Sequence, residues 1–456
     1  MKIYNMETPL YTRLTNYHTQ NRISFAMPGH KNGVGLFSEL LSCDVTELNK
    51  TEDLFHPGEY VKKSLELLRD TYKSYKSFIL TSGSTTAIHT MICAALKKGD
   101  ALLVASDCHM SVVNICAIVG IKMRFLNKEY KNGLPTKTVG IEEMLEKHSD
   151  IKACLITSPN YYGVCSDITA IANECHKHNI PLLVDEAHGA HFVASDRLPK
   201  TAIELGADIS CQSAHKTLNA LTGAAYLHIK SNLVSPKRIE QTLLMLHSSS
   251  PSYPIAASSD AARAMLNGGW DNIIDVCEEF KKSIRNLTKL EFLENDDITR
   301  LVVCFDNYKI SGYDMEKQLC DKYKIDIEMA TSNAIVLIVT PSNTNADMEA
   351  LGEALIQITS NTPLKKKTED FAYIEHKDII SPSIAYWSKT EETDINKSEG
   401  RVCADTVTIY PPGIPVLYAG EVITYEAIAY INEAKAKGAK ITGMSDNKVT
   451  VCERTI

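Results

Sequence analysis

Residues 210–217 read SCQSAHKT, and Lys216 stands directly after a Ser-x-His triplet, just past a short apolar run. Upstream, a second apolar run at 181–184 leads into Asp185, the first letter of the tetrapeptide DEAH. Short apolar runs of this kind are typical of buried strands, so an acid and a lysine end two successive strands. A lysine alone is usually a solvated surface residue, and it is this pairing that makes Lys216 a candidate for chemistry.

An acid and a lysine so placed are what pyridoxal phosphate (PLP) requires. The cofactor aldehyde bonds to a lysine amine, and a carboxylate pairs with the pyridinium nitrogen. A cradle for the phosphate is predicted at 78–86, where a short strand runs into the letters TSGSTT and then a helix. A helix N-terminus presents free N–H groups, and the hydroxyls add donors. The same letters also suit an ordinary N-cap cluster, and they do not form a Walker A motif.

From about residue 60 the sequence alternates between helix-like and strand-like segments, which predicts a largely parallel sheet with helices on both faces. The expected helices include 61–76, 111–119 and 167–178, and the expected strands include 78–80, 101–105 and 153–157. Ligands of such sheets bind beyond the carboxyl ends of the strands. The segments expected at those ends are 82–86, His109, 160–163, 185–188 and 213–216.

Beyond about residue 297 the pattern changes to short strands with helices between them, and we expect strands at 300–305, 325–329 and 334–340. The predicted fold class is α/β, with a mostly parallel sheet between helices in a large domain and smaller α+β domains after it. The predicted parts are an N-terminal segment at 1–50, a large PLP-binding domain at 51–290, a small α/β domain at 291–362 and a C-terminal α+β domain at 363–456.

The composition narrows the class of protein. The 456 residues are 44% hydrophobic and 23% charged, which is ordinary for a soluble globular chain. A formal net charge of −8 argues against nucleic acid or an anionic membrane as a partner. The 13 cysteines are scattered without a C-x-x-C pair, which favours a reducing compartment over disulfides or structural zinc. The N-terminal residues show no secretory signal, so we expect a cytoplasmic protein.

Three other interpretations of these motifs are weaker. The letters DEAH also spell a helicase box, but that reading needs a Walker A partner. His188 and His191 have a spacing that metal ligands use, but the nearby sequence offers no convincing third ligand, and we expect no metal. Ser213 and His215 suggest nucleophilic catalysis, yet their position beside Lys216 is better explained by phosphate contacts and support of the cofactor ring.

Taken together, the motifs resemble the Orn/Lys/Arg decarboxylases of the PLP fold-type I (aspartate aminotransferase-like) superfamily, in the short bacterial form without an N-terminal wing domain. The motifs that carry the resemblance are MPGHK at 27–31, TED at 51–53, SGST at 82–85, DCH at 107–109, PNYYG at 159–163, VDEAHGAH at 184–191, SAHKT at 213–217, SSPSY at 249–253, and YPPGIP at 410–415 followed by GE at 420–421.

The resemblance implies a role for each matching residue. Lys216 would hold PLP covalently, and Asp185 would pair with the pyridinium nitrogen. The remaining cofactor contacts that it implies are Ala187 beneath the ring, His109 above it, His188 nearby, and Ser84, Thr85, Ser213 and His215 at the phosphate. Ser249 or Ser250 would reach the cofactor of a neighbouring subunit, which implies an obligate homodimer, or a higher homo-oligomer, with its active site at the subunit interface.

The implied activity is decarboxylation of arginine, lysine or ornithine, with a proton returned to Cα by Lys216 or His215. Glu421, Glu47 and Asp53 are candidates for binding the distal cation of the substrate, and the sequence does not choose among them. The chain departs from the family pattern at three positions. Met110 follows the stacking histidine, where the family usually has lysine, Asn160 stands where threonine is usual, and Gly223 stands where glutamine is common.

Two alternatives stay open. One is another fold-type I activity, an aminotransferase or a lyase, in which Arg401 would clamp the α-carboxylate of the substrate. The other is a non-catalytic homologue that binds PLP without turnover.

Overall fold

The computed structural model describes residues 6–18, 43–131, 133–366, 376, 380–409, 413–436 and 438–453. The MPGHK motif at 27–31 and the letters YPP at 410–412 lie outside these residues. The helices are α1 (Pro9–His18), α2 (Glu59–Tyr72), α3 (Gly83–Ala95), α4 (Met110–Val119), α5 (Ile141–Lys147), α6 (Ile168–Lys177), α7 (Ala214–Thr217), α8 (Pro236–Leu246), α9 (Tyr253–Ala264), α10 (Trp270–Leu287), α11 (Gly312–Gln318), α12 (Asn345–Ser360), α13 (Pro382–Trp387) and α14 (Tyr425–Ala436).

The strands are β1 (Lys76–Leu80), β2 (Ala101–Ala105), β3 (Lys122–Lys131), β4 (Leu134–Val139), β5 (Ile151–Thr157), β6 (Leu182–Asp185), β7 (Ile209–Gln212), β8 (Ala225–Ile229), β9 (Glu291–Phe292), β10 (Arg300–Cys304), β11 (Met329–Ala330), β12 (Ala334–Ile338), β13 (Thr390–Asp394), β14 (Val407–Ile409), β15 (Ile414–Leu417), β16 (Ile441–Thr442), β17 (Met444–Ser445) and β18 (Lys448–Cys452). The chain forms two compact units.

The first unit comprises Met1–Ala95, Ala153–Ser158 and Ile168–Gly268, and its strands follow the order β1-β8-β7-β6-β5. Strands β5, β6 and β7 are parallel, whereas β8 is antiparallel to both β7 and β1. Every residue of β6, β7 and β8 is buried, as expected for strands covered on both faces. The pairing of Asp185 with Cys211 brings the ends of β6 and β7 side by side.

The second unit comprises Leu96–Lys152, Pro159–Asp167 and Gly269–Ile456. Its strand β2 is parallel to β3, which forms an antiparallel hairpin with β4. A four-stranded sheet in the order β11-β12-β10-β9 follows, and then two three-stranded sheets, β13-β18-β17 and β15-β14-β16. The smaller C-terminal sheets pack around a separate apolar cluster that includes Ile395, Ile423 and Ile431.

The predicted α/β class is confirmed, and most differences concern where elements end. Helix α2 stops at Tyr72 instead of continuing to 76, because Lys73 adopts a left-handed conformation (φ 54°) that ends it. The strand expected at 325–329 is wrong, since only Met329–Ala330 pairs with β12. Helix α8 was missed in the sequence analysis, and only three of its residues are buried.

Candidate active site

The candidate site forms where β6 and β7 end. Ser213 follows β7 and is the N-cap of the short helix α7, so Lys216 lies on a helical turn and not on a strand. The half-buried Lys216 side chain places its Nζ 3.2 Å from Nε2 of His188, on the segment that follows Asp185. The backbone N–H of Ser213 donates to the carbonyl of Ala187 at 3.3 Å. The structure therefore brings the predicted lysine together with the DEAH segment.

Asp185 is the buried acid of the site, with 3% of its surface exposed. Its Oδ1 accepts the backbone N–H of Ala187 at 3.1 Å and lies 3.8 Å from Sγ of Cys211. Burial, together with the charge of Asp185, holds the pKa of the Cys211 thiol well above its usual range, so the thiol stays protonated and donates. A buried carboxylate with such donors is suited to stabilising a cationic ring nitrogen.

The TSGSTT letters form the N-terminus of α3, as the phosphate prediction requires. Gly83 begins this helix with φ 77° and donates its N–H to the carbonyl of Gly223 at 2.8 Å. Among the described residues, no heavy atom lies within 4 Å of the point where a Cβ on Gly83 would stand. The Ser213 hydroxyl donates to the Ser84 hydroxyl at 2.9 Å, which joins the N-terminal turns of α7 and α3. Helix N–H groups and hydroxyls around an open glycine fit a phosphate.

His215 is oriented by the backbone beside it. Its Nδ1 donates to the carbonyl of Ala224 at 2.8 Å, and its own N–H donates to the same oxygen at 3.3 Å. Because Nδ1 of the His215 ring makes this bond, Nε2 is the ring nitrogen that is available for other contacts. Gly223 precedes this carbonyl with φ 95°, a conformation that glycine adopts readily and that L side chains rarely adopt.

The sequence analysis did not identify His247 as a site residue, because this histidine stands at the start of a segment predicted only to be a polar loop. The backbone N–H of Thr81 donates to Nε2 of His247 at 3.1 Å, and Nδ1 donates to the carbonyl of Ser248 at 3.2 Å. Burial lowers the pKa of His247 and keeps its ring neutral. Phe55 packs edge-on against the same ring at 4.9 Å, so His247 links the segment around Phe55 to the start of the phosphate loop.

The TED motif at 51–53 has a structural role. Both carboxylate oxygens of Glu52 accept backbone N–H groups at the start of α2, from Glu59, Tyr60 and Val61. Oδ1 of Asp53 accepts the backbone N–H groups of Phe55 and His56, and Oδ2 lies 2.8 Å from Nδ1 of His56. Burial opposes ionisation of Asp53, but these hydrogen bonds outweigh it and lower the pKa.

Several predicted residues belong to the second unit. His109 is the N-cap of α4, and its Nδ1 accepts the backbone N–H of Ser111 at 3.2 Å, so its stacking role stays a prediction. Oδ1 of Asn160 accepts two backbone N–H groups, from Tyr162 and Val164, and closes the turn that follows β5. This turn gives Asn160 a structural reason at a position where the family usually has Thr.

Two further charged candidates of the second unit already have partners. Glu421 is 5% exposed and accepts the backbone N–H of Tyr418 at 2.9 Å and Nδ1 of His376 at 3.2 Å. Arg401, the residue of the aminotransferase alternative, donates to Glu391 at 2.6 Å and to the carbonyl of Cys452 at 2.7 Å. These bonds tie Arg401 to β13 and β18.

The remaining predicted contacts lie on the loop after α8. Ser249 and Ser250 are exposed, and the Ser248 hydroxyl accepts the N–H of Ser250 at 3.1 Å. The helix end before them exposes Leu244 and Met245, by 53% and 74%. The predicted reach of these serines into a neighbouring subunit stays a prediction.

The residues that the structure describes contain no group of three or more histidine, cysteine or acidic side chains arranged to hold a metal ion. Nor does any of their helices combine the length and apolarity that crossing a membrane requires.

Comparisons with known proteins show which family the chain is similar to. The family model described as "Orn/Lys/Arg decarboxylase, major domain" matches residues 8–328, and the model of the corresponding C-terminal domain matches residues 379–449. The arginine decarboxylase of Bacillus anthracis is 31% identical over 477 residues, which cover 98% of this chain and 96% of that protein.

Solved structures extend the likeness to the fold. The lysine decarboxylase of Francisella novicida superposes with a TM-score of 0.84 at 18% identity, over 98% of this chain and 82% of that one. An alanine–glyoxylate aminotransferase from Nostoc superposes with a TM-score of 0.55 at 16% identity, over 65% of this chain and 85% of that one. The chain therefore has the architecture of the PLP fold-type I enzymes.

Proposed function

The chain belongs to the Orn/Lys/Arg decarboxylase family, and from this premise we propose that it releases CO₂ from a basic amino acid with PLP bound at Lys216. The observation that carries the proposal is the junction of β6 and β7, where the buried Asp185 and the amine-bearing turn of α7 come together. The open glycine at the N-terminus of α3 supports a phosphate contact in the same unit.

PLP, when bound, supplies a sink for the electron pair that remains at Cα when CO₂ departs. The protein's part is to hold charge and protons in place. The Asp185 carboxylate would stabilise a protonated ring nitrogen of bound PLP, and the Cys211 thiol and the Ala187 N–H donate to that carboxylate and hold it in place. We assign the return of a proton to Cα to Nζ of Lys216, with Nε2 of His215 as the second candidate, because Nδ1 of His215 is engaged with Ala224.

Arginine is the substrate that we propose first, because the Bacillus anthracis relative, which aligns with this chain over 96% of that protein's length, is named an arginine decarboxylase. Among the three candidate acids, we favour Glu47 for the distal cation. Its Oε2 accepts the hydroxyl of Thr46 at 2.6 Å, and its buried Oε1 has no hydrogen-bond partner within the part of the chain described. Glu421 and Asp53 already accept hydrogen bonds at their carboxylates.

We also propose a homodimer in which the loop at 248–252 faces a second copy. Exposed Leu244 and Met245 beside this loop are the kind of apolar surface that a subunit interface buries. Sedimentation of the purified protein tests this part separately.

Product analysis tests the activity. Purified protein loaded with PLP is incubated separately with arginine, lysine and ornithine, and Lys216→Ala serves as the control. We expect agmatine, cadaverine or putrescine from the intact protein alone. No amine from any of the three, despite bound PLP, would overturn the proposal.

A further inference from the structure

A row of buried polar side chains crosses the first unit behind the candidate site. We call Glu186, Gln212, His228, Ser77 and Ser74 the polar row. Nε2 of Gln212 lies 2.9 Å from Oε2 of Glu186, and Nε2 of His228 lies 3.2 Å from Oε1 of Gln212. Nδ1 of His228 lies 2.7 Å from the Ser77 hydroxyl, which lies 2.7 Å from the Ser74 hydroxyl. The row thus runs from the end of β6 across β7 and β8 to β1.

The row lies on the face of the sheet opposite the candidate site. Successive side chains of a strand point to opposite faces, so Cys211 and Gln212 of β7 diverge. Cys211 contacts Asp185 on one face, whereas Gln212 contacts Glu186 on the other. Four of the five residues, from Glu186 to Ser77, are at most 2% exposed, so each of their hydrogen bonds is made without competition from water.

One direction of donation satisfies every hydrogen bond of the row. The Glu186 carboxyl oxygen accepts from the amide nitrogen of Gln212, which leaves the amide oxygen to accept from Nε2 of His228. Burial keeps this histidine neutral, so its Nδ1 accepts from Ser77, which in turn accepts from Ser74. The Oε1 of Glu186 also accepts the N–H of Ala202 at 2.8 Å, which closes the row at its buried end.

We propose that the polar row positions the cofactor site, with Glu186 and Gln212 as positioning residues; this inference rests on the proposed function. Glu186 directly follows Asp185, and Gln212 directly precedes Ser213. Their side-chain hydrogen bond therefore fixes the spacing between the strand end that carries the acid and the turn that carries Lys216. Because the regular pairing of the two strands ends at Asp185 and Cys211, this link holds them just beyond the last pair.

The row predicts which substitutions are tolerated. In Glu186→Gln the new amide still accepts from Ala202 and donates to the oxygen of a flipped Gln212. The row can then reverse, with His228 accepting at Nε2 and donating from Nδ1 to Ser77. In Gln212→Leu no arrangement satisfies both Glu186 and His228. Tyr226→Phe is a matched control, because Tyr226 lies on the same face of β8 and loses one buried hydrogen bond, to the carbonyl of Ser259.

The apo form of each variant is titrated with PLP, and binding is followed by fluorescence. Thermal unfolding of the same apo forms is measured in parallel. We expect Gln212→Leu to weaken PLP binding about tenfold, because two buried polar groups lose their partners. Glu186→Gln is expected to bind PLP as the unaltered protein does. Tyr226→Phe is expected to lose apo stability without losing affinity. Should Gln212→Leu fail to fold, Ser77→Ala breaks only the two links at the far end of the row, to His228 and Ser74, and is expected to weaken PLP binding to a smaller extent.

Unchanged PLP affinity in both Gln212→Leu and Ser77→Ala would overturn the inference. An equal loss of PLP affinity in Tyr226→Phe would also overturn it, because the effect would then come from general destabilisation. So would an equal loss in Glu186→Gln, because the effect would then depend on the carboxylate itself. Failure of the proposed function has a different signature, in which the unaltered protein binds PLP but forms no amine from any basic amino acid.

Discussion

Nζ of Lys216 lies 3.2 Å from Nε2 of His188, which joins the turn after β7 to the segment after β6. His188 is 3% exposed, so its ring is held in place by packing. A lysine amine that contacts an imidazole can share a proton with it, and the imidazole fixes where the amine points. The pair is thus a direct contact of the Lys216 amine itself with the segment that follows Asp185.

The first prediction concerns this pair. In His188→Ala we expect kcat for decarboxylation to fall about tenfold to a hundredfold, because the Lys216 amine loses the ring that orients it. PLP content should stay close to that of the unaltered protein, since Lys216 and Asp185 are intact. The measurement is amine release at saturating substrate, with the cofactor absorbance of each sample as reference. His178→Ala, a substitution at an exposed histidine in the turn after α6, serves as the control, and an equal loss there would contradict the assignment.

The second prediction concerns the hydroxyl pair of Ser213 and Ser84, which lie 2.9 Å apart. Ser213→Ala is expected to weaken PLP binding about tenfold, because a phosphate at this site would lose one donor. Inorganic phosphate should compete less well with PLP in the variant than in the unaltered protein. The control is Thr359→Val, which removes a buried hydroxyl that donates within α12 of the second unit. Retention of full affinity in Ser213→Ala would remove this residue from the phosphate site.

The third prediction separates two neighbouring acids. Glu47→Gln is expected to raise KM for the basic amino acid about tenfold while kcat and PLP affinity change little, because the distal cation loses a charged partner. Glu52→Gln is expected to leave KM unchanged but to lower the unfolding free energy by about 1 kcal/mol, since Glu52 caps α2. Initial rates over a range of substrate concentrations distinguish the two. A raised KM in Glu52→Gln with none in Glu47→Gln would reverse these assignments.

The sequence alone was enough for the parts of this site that obey a local pattern. Asp185 and Lys216 follow short apolar runs, and the hydroxyl-rich letters before α3 have a recognisable position between a strand and a helix. The contacts of His247 with Thr81 and of Gln212 with His228 connect segments far apart in the chain. Hydrophobic periodicity in the sequence does not predict such pairings, because they depend on the order of strands in the sheet, in which β8 lies between β1 and β7.

The fourth prediction concerns the pH dependence of stability and uses Glu186 and His228, the two members of the polar row whose pKa values are shifted. Burial raises the pKa of Glu186 to about 8, against 4.5 for a free carboxyl group. The folded state therefore binds the proton more tightly, and the contribution of Glu186 to stability is present below pH 4.5 and is lost as the pH rises towards about 8. Burial lowers the pKa of His228 to about 3 from 6.5, so its contribution is present above pH 6.5 and is lost as the pH falls towards about 3.

Glu186→Gln should therefore flatten the decline of stability between pH 4.5 and about 8 without altering the decline below pH 6.5. The measurement is the midpoint of denaturant unfolding of the apo protein across this range. The Tyr226→Phe variant is expected to shift the whole curve without changing its shape, because its hydrogen bond to Ser259 does not titrate in this range. A curve for Glu186→Gln that runs parallel to that of the unaltered protein would mean that Glu186 keeps the same charge throughout, and the pKa assigned to it would be wrong.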